Sequence, residues 1–268
     1  MPELVEVETT RRDLEKIITG KIIKKTDVYL DKIVYYKTDE FIKETENQKV
    51  ASVKRRGKWL LFELDTNYLI IHFRMEGRFY LKESNSIRDK HDYVIFYFDD
   101  FALHYNDPRL FGKLEVIKKE EINKFFVDKK LGLEYNDEKL TSNYLKEKFK
   151  NKNIPIKTVL LDQRYITGIG NIYADEILFL SGINPYTKAS LLNKNKLQKI
   201  IDNTCIVFEE ALKHKGTYPN IDGTRGTHEN YLKVHMRKGL LCINCRTNII
   251  KEKIGGRGTY YCPKCQKR

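Results

Sequence analysis

The sequence predicts an α+β protein: an N-terminal antiparallel β-sandwich flanked by helices, then a helical region, then a small cysteine-clamped tail. Three observations carry this. Short runs with β-like composition, broken by turn residues, fill most of the first 118 positions. Apolar residues recur at three- and four-residue steps from about 136 onward, and four of the five cysteines lie within residues 242–265.

The elements follow in order. "MPELVEVETT" opens a helix, since Leu4, Val7, Leu14, Ile17 and Ile18 recur at helical spacing. Pro2 suits a first helical position and Glu3 suits the positive end of the helix dipole, so both residues have an ordinary helix-start explanation. "KWLLFEL" and "YLIIHF" flank Asp65-Thr66-Asn67, and "YVIFYF" and "FALHY" flank Asp99-Asp100, which reads as two hairpins. "KLEVI" from Lys113 adds a strand after the turn "NDPRLFG". Residues 1–118 therefore form the sandwich domain, and the charged stretch 119–135, with "KEEINKFFVDKK" and Gly132, is a linker. Residues 136–233 carry helical patterns in "KLTSNYLKEKFKN", "IKTVLLDQRYI", "NIYADEILFLSGI" and "KNKLQKIIDNTCIVFEEALKHK", followed by a mobile Gly-rich stretch, "GTYPNIDGTRGTHEN". Residues 234–268 form a separate small unit, and Cys205, alone in an apolar helical stretch, reads as a buried small hydrophobe.

Fifty Lys and Arg against 37 Asp and Glu give a net charge of +13. That excess points to an anionic partner, nucleic acid or a membrane surface, or else to a generally lysine-rich composition. No apolar run reaches the roughly 18 residues of a membrane span and no secretory pattern opens the chain, so a soluble, cytoplasmic protein is expected.

The strongest motif is "CINC" with "CPKC": Cys242 and Cys245, then Cys262 and Cys265, with sixteen residues between the pairs. Four thiolates so spaced close a tetrahedral Zn²⁺ site with no open position, so a structural zinc is expected ahead of iron or free thiols. Between the pairs, "KIGGRGTYY" puts Arg257 at a glycine-rich hairpin tip, either as a solvated turn arginine or as a phosphate ligand. "TGIGNIYADE" offers a helix N-terminus at Asn171, which is a phosphate site or a plain helical turn. "VKRRGKWLLFEL" sets Lys54, Arg55, Arg56 and Lys58 around the start of a strand. In "HYNDPRLFG", Arg109 and Phe111 share a Pro-containing turn; Phe111 either packs into the sandwich or stands out as a wedge for a base stack.

Together and in this order, "MPELVEVET", "KRRGKWLLFEL", "RMEG", "KHDYV", "NDPRLFG", "LLDQRYITGIGNIYADEILFLSGINP" and "CINC" through "GGRGTYYCPKC" resemble the formamidopyrimidine-DNA glycosylase family over essentially the whole chain. The resemblance implies a β-sandwich, a helix-two-turn-helix domain and a zinc finger that holds one structural Zn²⁺. It implies a monomer, associated with the nucleoid, that acts on double-stranded DNA containing oxidised purines or abasic sites. Met1 would be removed and the Pro2 nitrogen would attack C1′ of the damaged nucleotide. An α-amino group titrates at roughly 7.7 to 8, so part of it is neutral near pH 7. Glu3 would protonate the opening sugar ring. Lys58 would assist β-elimination and Arg257 δ-elimination. His91, Lys152, Lys157 and Asn171 match backbone-binding positions, and Met75, Arg109 and Phe111 match residues that fill the gap left by the flipped base, with Arg109 facing the orphaned cytosine.

The chain departs from the family pattern in places. Val5 replaces a common second proline, "HFRMEG" replaces "HLGM", and Leu110 replaces a frequent arginine. The 216–231 loop is shorter than usual, with Thr227-His228-Glu229 where an aromatic residue and Gln are common, which bears on lesion range. Two other readings are the endonuclease VIII branch, which prefers oxidised pyrimidines, and a non-catalytic DNA-binding module. Arg109 and Phe111 argue against the first, and the Pro2-Glu3 pair against the second.

Overall fold

The computed structural model describes residues 2–35 and 37–267, so the expected loss of Met1 lies outside the described residues. The chain divides into two compact units, residues 1–129 with 215–226, and residues 130–214 with 227–268.

In the first unit, α1 (Leu4–Ile18) buries Leu4, Val7, Leu14 and Ile18. Strand β1 (Lys25–Val28) and the short helix α2 (Thr38–Thr45) precede β2 (Ser52–Arg56), β3 (Trp59–Glu63), β4 (Asn67–His72), β5 (Arg78–Glu83), β6 (Asp92–Tyr97), β7 (Phe101–Asn106) and β8 (Lys113–Lys118). They form two four-stranded antiparallel sheets, in the orders β2-β3-β4-β8 and β1-β6-β7-β5. Both expected hairpins form, β3 with β4 and β6 with β7. Phe62 of β3 stacks on Phe79 of β5 at 5.8 Å, and one continuous core joins residues of both sheets and α1, as in a sandwich. Strand β3 buries four consecutive residues: Leu60 and Phe62 lie in the sandwich core with Val7, Leu14 and Ile18 of α1, and Trp59, on the opposite face, is also covered.

Two stretches hold more structure than their composition suggests. The 119–135 stretch is not a plain linker: it contains a helix, α3 (Ile122–Asp128), whose Phe125 meets the edge of Trp59 at 5.3 Å, while Lys129 lies over both rings. Phe125 and Trp59 are far apart in sequence, so a charged run concealed an aromatic anchor. By compactness the first unit ends at 129, and 215–226 groups with it. That segment has defined partners despite its glycines: Ile221 is buried in the sandwich core and its carbonyl accepts the Leu81 N–H at 2.8 Å.

The second unit contains α4 (Ser142–Phe149), capped by Thr141, the short α5 (Ile156–Leu160), α6 (Asn171–Leu180), and α7 (Lys194–Lys213), capped by Asn193. Buried Phe149, Ile156, Tyr173, Ile177, Leu197 and Phe208 make its core. Cys205 is only half-buried, its thiol 3.5 Å from the Tyr135 carbonyl, because it lies toward the edge of the α7 apolar stripe. The tail forms the hairpin β9 (Ile250–Ile254) and β10 (Arg257–Tyr261), with Gly255 and Gly256 both at positive φ in the two-residue turn. It packs on α6 and groups with the second unit.

Candidate active site and nucleic-acid interface

In the first unit the helix begins at Leu4, with Glu3 at the N-cap and Pro2 outside it. The helix-start explanation wants proline one position inside the cap. Here Pro2 stands one position before the cap. Glu3 enters a capping box with Glu6, whose Oε2 accepts the Glu3 N–H at 2.9 Å, and Glu3 is only 1% exposed. Pro2 is buried at the wall of a small cleft that it shares with Glu6, Gly77, Arg78, Tyr218 and Asn220. The Glu6 carboxylate builds this cleft, because its Oε1 accepts both the backbone N–H and the hydroxyl of Thr217 at 3.2 Å. Gly216, at φ +68, folds against that oxygen, where a Cβ would come to 2.8 Å.

Lys58 lies in the two-residue turn between β2 and β3 and is nearly buried. The nearby His72 is held neutral, its pKa pushed down to about 3 by burial and by the Arg74 and Lys58 charges. Met75 sits on the turn before β5 and His91 on the turn before β6, its Nδ1 3.3 Å from the Tyr93 hydroxyl. Arg109 and Phe111 occupy the turn between β7 and β8. Phe111 is 52% exposed, which excludes its packing into the sandwich, and the Arg109 guanidinium lies over its ring at 5.2 Å. Arg109 Nη1 also reaches to 3.8 Å of Glu76 Oε1, beside Met75.

In the second unit Lys157, Asn171 and Arg257 converge on the finger hairpin. Lys157 Nζ donates to the Gly258 carbonyl at 3.3 Å, and Asn171 Nδ2 donates to the same carbonyl at 3.1 Å. Arg257, one residue earlier, is exposed. Lys157 itself does not stand at the surface: it has no exposed area and its ammonium pairs with Asp175 Oδ1 at 2.5 Å. A lysine expected at a phosphate is thus spent inside, because its stem points down from a five-residue helix toward α6. Lys152 lies apart, half-buried, with its ammonium 5.6 Å from the Tyr165 ring centre.

The four thiols of Cys242, Cys245, Cys262 and Cys265 lie within 4.8 Å of one another. Opposed pairs stand at 3.8 Å and 3.4 Å, near the roughly 3.8 Å edge of a tetrahedron with metal–sulfur bonds of about 2.3 Å. The Cys245 thiol is drawn down to about 6 by hydrogen bonds from Thr247, while burial pushes those of Cys262 and Cys265 up. Such a cluster loses all its protons only when a cation compensates.

Several site-building residues carried no clear signal in the sequence. Asp175 accepts from Lys157, from His235 at 2.7 Å and from the Tyr260 N–H at 3.2 Å, and its neighbour Glu176 accepts the N–H groups of Lys233, Val234 and His235. Two adjacent acids in the apolar run "NIYADEILFL" were the available hint, since carboxylates there must be paired. Glu6, three residues after Glu3, fits the capping-box spacing.

A β-sandwich, a helical domain and a four-cysteine finger, with a basic tip on each unit, define the class of DNA-repair glycosylases. Residues 1–114 match the formamidopyrimidine-DNA glycosylase N-terminal domain, 131–221 its H2TH domain, and 239–268 the zinc finger found in FPG and IleRS. A formamidopyrimidine-DNA glycosylase of Bacillus cereus is 44% identical over 277 aligned positions, covering all of both chains. The Lactococcus lactis Fpg in complex with Fapy-dG DNA is 36% identical with a TM-score of 0.95, over 99% of this chain and 100% of that one. The wild-type Lactococcus lactis enzyme bound to DNA with an oxidised pyrimidine is 36% identical with a TM-score of 0.96, over the whole of both chains. The chain belongs to the formamidopyrimidine-DNA glycosylase family and is a bifunctional DNA glycosylase and abasic-site lyase of base-excision repair.

Proposed function

We propose that the enzyme excises oxidised purines, 8-oxoguanine and formamidopyrimidines, from duplex DNA through an iminium on Pro2, and nicks the abasic product by β,δ-elimination. The observation that carries this is Pro2 itself, buried at a cleft wall yet outside the helix that follows it. With Met1 removed, its neutral secondary amine attacks C1′, the C1′–base bond breaks, and the proton that the amine nitrogen loses goes to the departing base. Glu3 donates a proton to the sugar ring oxygen as the ring opens. The resulting iminium withdraws electrons, so the C2′ proton becomes acidic and the 3′ phosphate leaves. Lys58 assists this step, and Arg257 the second elimination at the 5′ side.

Met75, Arg109 and Phe111 fill the vacated stack, and the exposure of Phe111 with Arg109 over its ring suits that task. His91 and Lys152 bind backbone phosphates. Asn171 and Lys157 serve the same surface by holding the Gly258 carbonyl, which fixes the peptide next to Arg257. One structural Zn²⁺ is held by the four cysteines, with no open position for substrate. The protein acts as a monomer on double-stranded DNA in the cytoplasm, at the nucleoid. Oxidised pyrimidine is the second substrate class, because the Lactococcus lactis relative has been captured on it.

The test is borohydride trapping on an 8-oxoguanine duplex with peptide mapping. The expected adduct is on the N-terminal proline, and protein retaining Met1 binds DNA but neither traps nor cuts it, since its proline nitrogen is an amide. Glu3→Gln is expected to abolish base excision while part of the nicking of a pre-formed abasic site survives. Trapping that maps to Lys58 would reassign the nucleophile.

A further inference from the structure

We infer that Asp107 sets the geometry of the tip 107–112 and thereby governs discrimination of the base opposite the lesion. The inference rests on the assignment of Arg109 and Phe111 to the gap in the duplex.

The Asp107 carboxylate is fully buried beneath an exposed tip. Its Oδ1 accepts the Arg109 N–H at 3.2 Å, and its Oδ2 accepts the Gly112 N–H at 2.7 Å. Its carbonyl accepts the Leu110 N–H at 3.1 Å, and its own N–H donates to the His91 carbonyl at 3.1 Å. One side chain therefore ties both arms of the tip together, and the same residue links the tip to the turn that carries His91. Asn or Asp ahead of a turn proline forms such side-chain-to-backbone bonds readily. Here they also hold Leu110 at φ +59, a left-handed conformation that leucine resists. With the chain reversed at Leu110, Arg109 and Phe111 emerge side by side.

A second contact shows how closely the tip is registered. The Tyr105 hydroxyl lies where a Cβ on Gly112 would be, and also where a Cβ on Gly77 would be, two residues past Met75. Both tips that carry gap-filling residues thus rest on one buried hydroxyl, and the Glu76 to Arg109 approach joins them above it. Asp107 itself has no exposed surface with which to touch a base. It is a positioning residue, and it acts through Arg109.

The test compares single-turnover excision of 8-oxoguanine opposite cytosine and opposite adenine, with nicking of a pre-formed abasic site as reference. Asp107→Ala is expected to lower the cytosine-to-adenine preference about tenfold, the lower range for a lost base contact, to the level of Arg109→Ala. The double variant should lose nothing further, because the two residues act as one unit. Asp107→Asn keeps one acceptor oxygen and is expected to fall between, with abasic nicking within about threefold of the parent since Pro2 and Glu3 are untouched. Should Asp107→Ala not fold, Asp107→Asn and Gly112→Ala, which collides with the Tyr105 hydroxyl, carry the same measurement. Parental discrimination in the variants, or additive losses in the double variant, would overturn the positioning role. A parent that excises the lesion with no opposite-base preference would instead overturn the assignment of Arg109.

Discussion

The Glu6 carboxylate, in the first turn of α1, accepts two hydrogen bonds from Thr217, a residue 211 positions later in the chain. The same carboxylate holds the N–H of Glu3, so one buried side chain fixes both the cap beside Pro2 and the segment that closes over the cleft. Glu6→Ala leaves those donors without their acceptor and is expected to cost about 3 kcal/mol, most of it in local order of residues 215–226. Limited proteolysis reads this as new cleavage within 215–226, while sandwich hydrogen exchange stays slow. An unchanged cleavage pattern would mean that Ile221 alone anchors the segment.

Cys262→Ser, or removal of the metal, is expected to unfold residues 240–268 and abolish DNA binding while the sandwich stays folded. Besides the Cys242 and Cys262 side chains, the large apolar residues buried in the finger are Ile249, Ile254, Tyr260 and Tyr261, a small core for about thirty residues. Metal analysis of active protein should return one zinc per chain, and markedly less would reject a structural zinc.

His228, in the stretch Thr227-His228-Glu229, sets its imidazole among aromatic rings. It lies between Tyr173 at 6.0 Å and the stacked pair His214 and Tyr231. Burial lowers its pKa to about 4, aided by the His214 and Lys233 charges and opposed by Glu210. The folded state therefore favours neutral imidazole. Stability is fully present above the unfolded value near 6.5 and is lost as pH falls toward 4, by at most about 3 kcal/mol. Melting temperatures from pH 7 to 4.5 should fall more steeply for the parent than for His228→Phe. Parallel curves would assign the acid sensitivity elsewhere.

Lys157→Met removes the cation from a pair in which neither side chain has exposed area, leaving the Asp175 charge to His235 and the Tyr260 N–H. Such one-sided deletions cost about 3 to 5 kcal/mol, and pairing the change with Asp175→Asn should recover part of it. Denaturant melts of the single and double variants check this. A single variant as stable as the parent would show that Lys157 is placed for DNA rather than for the hairpin.

Much of this enzyme was legible in its sequence where the relevant contacts are local. The cysteine spacing announced the finger, the turn residues between alternating runs announced both hairpins, and Gly255-Gly256 announced the turn that presents Arg257. Each of these rests on backbone geometry or ligand spacing within about thirty residues. The residues that only folding could reveal act across long separations. Phe125 reaches Trp59 and turns a presumed linker into a helix, and Lys157 reaches Asp175 and withdraws from the surface. Glu6 reaches Thr217 and converts a glycine-rich stretch into a wall of the cleft. A buried charge takes whichever partner the packing brings near, and that choice is made by the fold as a whole because an unpaired charge cannot stay inside. Sequence alone therefore determined the architecture and the chemical groups, while the tertiary structure decided which of those groups face outward and which are consumed in holding the others in place.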